Sequence, residues 1–259
     1  MSNALNKSFN DTIKSETLGL AKDYVEVGLD AIMTDGLLKD IPLVGTMVSL
    51  FKLGNTLKDR HTFKKLAVFF DRLSEIPIED REKFVNELND SDEYNESISE
   101  KVLLLIERLD ETKKAEIIGN IFKLYVLNVI TKDTFLKLAG FIERGILRDL
   151  LAFYHKHTRY SRSVELMHKY YLDNDTADSL RGLGLFKQVV NLKKSYLDDG
   201  KLEAQTEYEV NSIGQTLANY MYYDLNENSF AAHIARIKAD QLDKERIAER
   251  WRREHPNSQ

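Results

Sequence analysis

The chain has 259 residues and no cysteine, which excludes thiol catalysis, cysteine-ligated zinc, iron–sulfur clusters and disulfides. With 37 Lys+Arg against 42 Asp+Glu the net charge is −5, so no global basic field gathers nucleic acid or anionic lipid and any such contact must be local. Three prolines, 12 glycines, 31% charged residues and a mean hydropathy of −0.41 fit a mostly α protein better than a turn-rich sandwich or barrel.

The first residues have neither the apolar stretch of a secretory signal nor the acid-poor look of a transit peptide. No window holds the roughly 18 consecutive apolar residues of a conventional membrane span. The nearest, residues 41–51, is bracketed by Lys39, Asp40 and Lys52. The expected location is cytoplasmic, with inner-membrane association reserved for an activated, assembled state in which polar positions are hidden from lipid.

In chain order, Asn10 is expected to cap a helix over 10–33, with Ile13, Leu20, Tyr24, Val27 and Ala31 on one side and Leu18, Val25, Leu29 and Ile32 widening the stripe. Asp23, Glu26 and Asp30, spaced by three and four, share one face, and Leu20 and Val27 follow the adjacent one. Asp40 with Pro42 starts a second helix. A third, 59–73, sets Phe63, Leu66, Ala67 and Phe70 inward and Lys64, Lys65, Asp71 and Arg72 outward. Residues 75–100 hold ten acids against Arg81 and Lys83, and read as one short helix and a polar loop. Ser97 and Glu100 form a capping box before the apolar run 102–106. Further helices fit 113–128, 131–144 and 146–155. Residues 62–72 and 134–144 share seven of eleven positions, and each follows a Phe-Lys-Leu triplet, at 51–53 and 122–124, so a duplicated helix pair or convergence on one packing face accounts for them. Phe63, Leu66, Phe70, Phe135, Leu138 and Ile142 are the expected core.

Beyond residue 157 the pattern becomes helix (163–171), short helix (176–181), a hairpin from 185–192 and 206–210 around Asp199-Gly200, and a helix opened by a Ser212/Gln215 capping box. This order reads as a winged-helix-like module. A long helix over 229–253 closes the chain. The implied division is a helical domain, 1–157, whose segment 10–58 is the candidate effector region, then the module, 158–227, then the C-terminal helix and tail, 228–259.

Chemistry-bearing motifs are scarce. His155 and His157 sit on different sides of a helix, and Glu165/His168 is one Glu-x-x-His where a di-metal bundle needs two. Gly182-x-Gly184 lacks the third glycine and preceding strand of a dinucleotide fingerprint, and Asp173-Asn-Asp175 lacks the glycine and terminal acid of a calcium loop. The reading is a non-enzyme with no catalytic, cofactor or metal residue. Leu20, Asp23, Glu26, Val27 and Asp30 are the candidate membrane or pore residues. Arg181, Lys187, Lys193, Lys194 and Lys201 are the candidate ligand or nucleic-acid contacts, although Asp173, Asp175 and Asp178 around the would-be recognition helix would repel phosphate, which makes DNA the weaker partner.

Asp40-Ile-Pro-Leu-Val-Gly45, Lys52, Asp59-Arg60, Leu103-x-x-Ile-Glu-Arg-Leu109, Lys113-x-x-Glu116, Leu183-Gly-Leu and Ser212-Ile-Gly-Gln together resemble bacterial helical proteins associated with abortive infection, of the Abi-alpha type. The resemblance covers most of the chain and rests on helix starts and spacing, with no active-site positions to carry over. It implies a bacterial cytoplasmic protein of anti-phage defence, of a family whose members act as toxic effectors or sensors. The broad apolar face of the first expected helix and the uncommitted apolar residues of the last give the expectation of a homo-oligomer. The functional expectation is an effector triggered by a phage-induced ligand or protein through its C-terminal module and acting through its N-terminal helices at the inner membrane, as a pore or channel. The competing expectations are a cytosolic winged-helix DNA-binding regulator and a partner-binding immunity protein.

Overall fold

The computed structural model describes residues 2–16, 18, 42, 43, 45, 46, 57–90, 98–160, 174–194, 202–221 and 253. Among these the protein is mostly helical: α1 Ser2–Lys14, α2 Leu57–Ser74, α3 Ile78–Asp90, α4 Ile98–Arg108, α5 Thr112–Val126, α6 Lys132–Arg144, α7 Leu147–Tyr160, α8 Asn174–Gly182, strands β1 Phe186–Lys194 and β2 Leu202–Val210, and α9 Ser212–Tyr220. None of the described helices is long and apolar enough to cross a membrane.

The centre is α5, buried from Ile117 to Val126 without interruption, including the polar Asn120 and Lys123. It packs along α2, with α6 and α3 also against it. Gly119 permits the close α2 approach, since a Cβ there would lie 2.9 Å from Arg72 Cβ and 3.0 Å from the Phe69 carbonyl. Phe122 joins Phe9, Phe69, Phe84, Tyr125 and Phe135, with ring centroids 5.1–6.4 Å away. The expected core residues Phe63, Leu66, Phe70, Phe135, Leu138 and Ile142 are all buried. The two similar segments therefore lie on α2 and α6 with matching buried positions, while Phe51 of the first triplet falls outside the described residues.

Three expectations are corrected. Asn10 does not begin a helix but lies inside α1, which starts at Ser2 and stops at Lys14, while residues 19–33 of the expected helix lie outside the described residues. Leu5, Phe9 and Ile13 recur every four residues, so the apolar stripe begins earlier than expected, and 3₁₀-type bonds from Ser15 N to Thr12 O and Leu18 N to Ser15 O close the end. Lys65, expected outward, is 2% exposed, because its amine reaches the carbonyl end of α4. The α9 cap is Asn211, not Ser212: its side chain accepts from Gly214 N at 2.9 Å and donates to Gly184 O at 2.7 Å, so one amide ties α9 to the end of α8.

The helix expected at 163–171, Ser97 of the Ser97/Glu100 capping box, and the long terminal helix apart from Arg253 lie outside the described residues. The helix, hairpin and helix expected at 176–220 are present as α8, β1–β2 and α9, with the strands antiparallel and Phe186 opposite Val210. α8 ends in a Schellman motif: Gly184, at φ +80°, donates to Arg181 O, Leu185 N reaches Leu180 O, and the Leu180 and Leu185 side chains are both buried. α7 runs past position 157, contacts α8 and α9, and its Phe153 meets Phe186 at 5.8 Å. One hydrophobic cluster extends from Phe9 to Met221.

Candidate functional site

Arg181, in the last turn of α8, is exposed and places Nη2 2.9 Å from Asp178 Oδ1. Lys187 Nζ lies 2.9 Å from Glu209 Oε2, and the strand register sets Lys193 opposite Glu203 and Lys194 opposite Leu202. The three lysines of β1 are matched by three glutamates of β2, which leaves the paired strands neutral. The exposed Lys187–Glu209 pair holds little energy, about 0–1 kcal/mol, but equal numbers of lysines and glutamates on the two strands leave no net positive charge there for a polyanion. Lys201 and the candidate pore residues Leu20, Asp23, Glu26, Val27 and Asp30 lie outside the described residues.

A dense polar constellation lies at the C-terminal end of α1. Arg81, on α3, is 6% exposed and donates Nη1 to Ile13 O at 2.6 Å and Ser15 O at 2.9 Å, and Nε to Ile76 O at 3.0 Å. Burial lowers its pKa, with nearby Glu82 and Glu79 opposing. A guanidinium at the negative end of a helix dipole, sharing its N–H groups among orphan carbonyls, is a favourable C-terminal clamp. Immediately before Ile13 on α1, Thr12 Oγ1 donates to Ser8 O at 2.8 Å and accepts from Leu43 N at 2.9 Å, while Ser8 Oγ and Thr46 Oγ1 are 2.5 Å apart. Residues 42, 43, 45 and 46 are helical, and Thr12 satisfies the Leu43 amide. Leu43 and Leu18 are buried in the main core.

Other buried cations serve similar ends. Lys65 Nζ bonds Glu107 O and Leu109 O, each at 2.7 Å. Lys114, also buried, reaches Asp110 Oδ1 at 2.8 Å and Glu143 O at 3.4 Å, where Arg108 also grips the Glu143 carboxylate. The bond from Lys114 holds the Asp110 carboxyl below the usual carboxylate range. Lys123, on α5, meets Glu75 Oε2 at 2.7 Å, and burial lowers its pKa against the pull of that carboxylate. Burial raises the Tyr125 phenol. Between the two halves of the chain, Asn120 Nδ2 donates to Met221 O at 3.2 Å, and Asn120 Oδ1 is buried without a partner among the described residues.

Cations and amides are surface residues by type, so composition does not single these groups out. A signal was available for two of them. Arg81 stands three, four and seven residues before Phe84, Val85 and Leu88, and Lys114 does the same before Ile117, Ile118 and Ile121, so both occupy apolar-face positions. Nothing local marks Thr12 as the partner of an amide 31 residues away. Among the described residues no three histidine or acidic side chains are grouped to hold a metal ion. No family model, curated protein or solved structure matches the chain.

Proposed function

We propose that the chain is a non-enzymatic bacterial anti-phage defence effector. In this reading a winged-helix-like module, residues 158–227, receives a phage-induced ligand or protein, and the N-terminal helices deliver toxicity at the inner membrane as a homo-oligomer. The observation that carries it is the continuity of the core. Met221, directly after α9, is hydrogen-bonded to Asn120 of α5, and Phe122 on the same helix touches Phe9 of α1 at 6.4 Å. A perturbation of the C-terminal unit thus has a packed route to the N-terminal helix, as a sensor coupled to an effector requires. The order α8, hairpin, α9 supports the module reading, and the internal Lys–Glu pairing of the hairpin favours a ligand or protein trigger over DNA.

The test is expression during phage infection with a membrane-potential dye. Depolarisation is expected, and Leu20→Asp or Val27→Asp should abolish it while circular dichroism stays unchanged. Light scattering should give a mass above the 30.0 kDa protomer. Cells that stay polarised, or a monomer at every concentration, would remove the membrane assembly. Retention on its own promoter DNA, with steep salt dependence, would replace the effector by a regulator.

A further inference from the structure

The contacts of α1 divide into two sets. On one side Phe9 and Ile13, both fully buried, enter the core among Phe69, Phe70 and Phe122, and Arg81 clamps the carbonyl end. On the other, Thr12 and Ser8 hold Leu43 and Thr46. We infer that α1 is a removable strap: Arg81 clasps it to the helical body, it carries the turn at Leu43 and Thr46, and the two stay or leave together. Applied to the effector function proposed above, on which this last step rests, the strap is the lock that keeps the N-terminal helices at rest.

Three features suit release. An α-helix makes its backbone hydrogen bonds within itself, so α1 can undock without breaking the ladder of any other element. Arg81 is held by carbonyls of Ile13, Ser15 and Ile76. Its desolvation is offset only while α1 is seated, and on release the guanidinium regains water instead of remaining a buried orphan. Thr12 and Ser8 contact Leu43 and Thr46 through side chains of α1 itself, so that attachment survives undocking from the body.

The test is amide hydrogen exchange on the full-length protein and two variants. Arg81→Met should accelerate exchange in α1 and at Leu43 in parallel, on the order of tenfold to a hundredfold, with α5 and α6 unchanged. Equal acceleration in α5 and α6 would make Arg81 an ordinary support of the whole fold, and acceleration of α1 without Leu43 would mean that the strap carries nothing. Either overturns the inference. Because the chain has no cysteine, Ser8→Cys with Thr46→Cys yields a single possible disulfide. Oxidation should form it in the folded protein and slow exchange at Leu43 at least about tenfold, reversibly on reduction. A folded protein that refuses the crosslink contradicts the contact. Growth assays separate strap from function: parallel exchange with Arg81→Met cells no more sensitive than wild type leaves the strap standing and rejects the effector reading.

Discussion

Lys123 and Glu75 show how unequally the two members of an ion pair can matter. The lysine is 1% exposed at its side chain and the glutamate 29%, so removing the glutamate leaves a desolvated ammonium, whereas removing the lysine leaves a carboxylate that water can reach. Glu75→Gln is expected to destabilise by about 1–3 kcal/mol in urea titration, and Lys123→Met by less, or not at all. Asp110 supplies a pH dependence. Its folded pKa is depressed, so its contribution is present above the unfolded carboxylate value and is lost as pH falls through the lowered folded value. Since its side chain is mostly exposed, solvent screening keeps the effect small. Asp110→Asn should therefore lower stability slightly near neutrality, with the variant and wild-type curves converging as pH falls through the lowered folded value, which flattens the acid limb. Asn128, at φ +57°, closes α5 by donating to Tyr125 O while Val129 N reaches Leu124 O, a Schellman end with asparagine in the glycine position. Asn128→Ala should cost about 1–2 kcal/mol and Asn128→Gly much less, as read by thermal melting.

At the scale of elements, the ends of helices carry much of the tertiary specificity. Lys65 closes α4, Arg81 closes α1, Lys114 reaches the end of α6, and Asn211 opens α9 while bonding the end of α8. Each satisfies orphan backbone groups of a neighbouring element and so fixes which helix ends meet. Asn211→Ala should therefore cost about 1–2 kcal/mol, the upper part of the usual cap range, whereas Ser212→Ala should be nearly silent. Helix crossing is tested at Gly119. A methyl group there meets the Phe69 carbonyl, which cannot move as a flexible side-chain tip can, so Gly119→Ala should destabilise by about 1–3 kcal/mol despite its better helix propensity.

At the scale of the molecule, Phe122 ties four helices to α5, touching α1, α2, α3 and α6 from its middle. Phe122→Ala is expected to cost about 3–5 kcal/mol and to lower the single unfolding transition seen by far-ultraviolet circular dichroism. A split into two transitions would show that the N-terminal helices and the unit from α8 to α9 fold separately. The shared cluster from Phe9 to Met221 and the α7 bridge predict one transition.

The mostly helical class, the helices around Phe63, Phe122 and Phe135, the hairpin and the residues of the central core were legible in the chain, because apolar periodicity and turn residues are local and recur within one or two helical turns. Thr131 at the start of α6 and Gly184 at the end of α8 belong to the same legible set, since a cap or a left-handed residue acts within five positions. The candidate site was much less legible. Arg81 and Lys65 look like surface charges until the carbonyl ends of α1 and α4 are placed beside them, and Thr12 has no partner in view until Leu43 arrives. Only the tertiary structure decided these, because the worth of a buried cation or hydroxyl depends on acceptors and donors brought from distant parts of the chain, and periodicity carries no record of them.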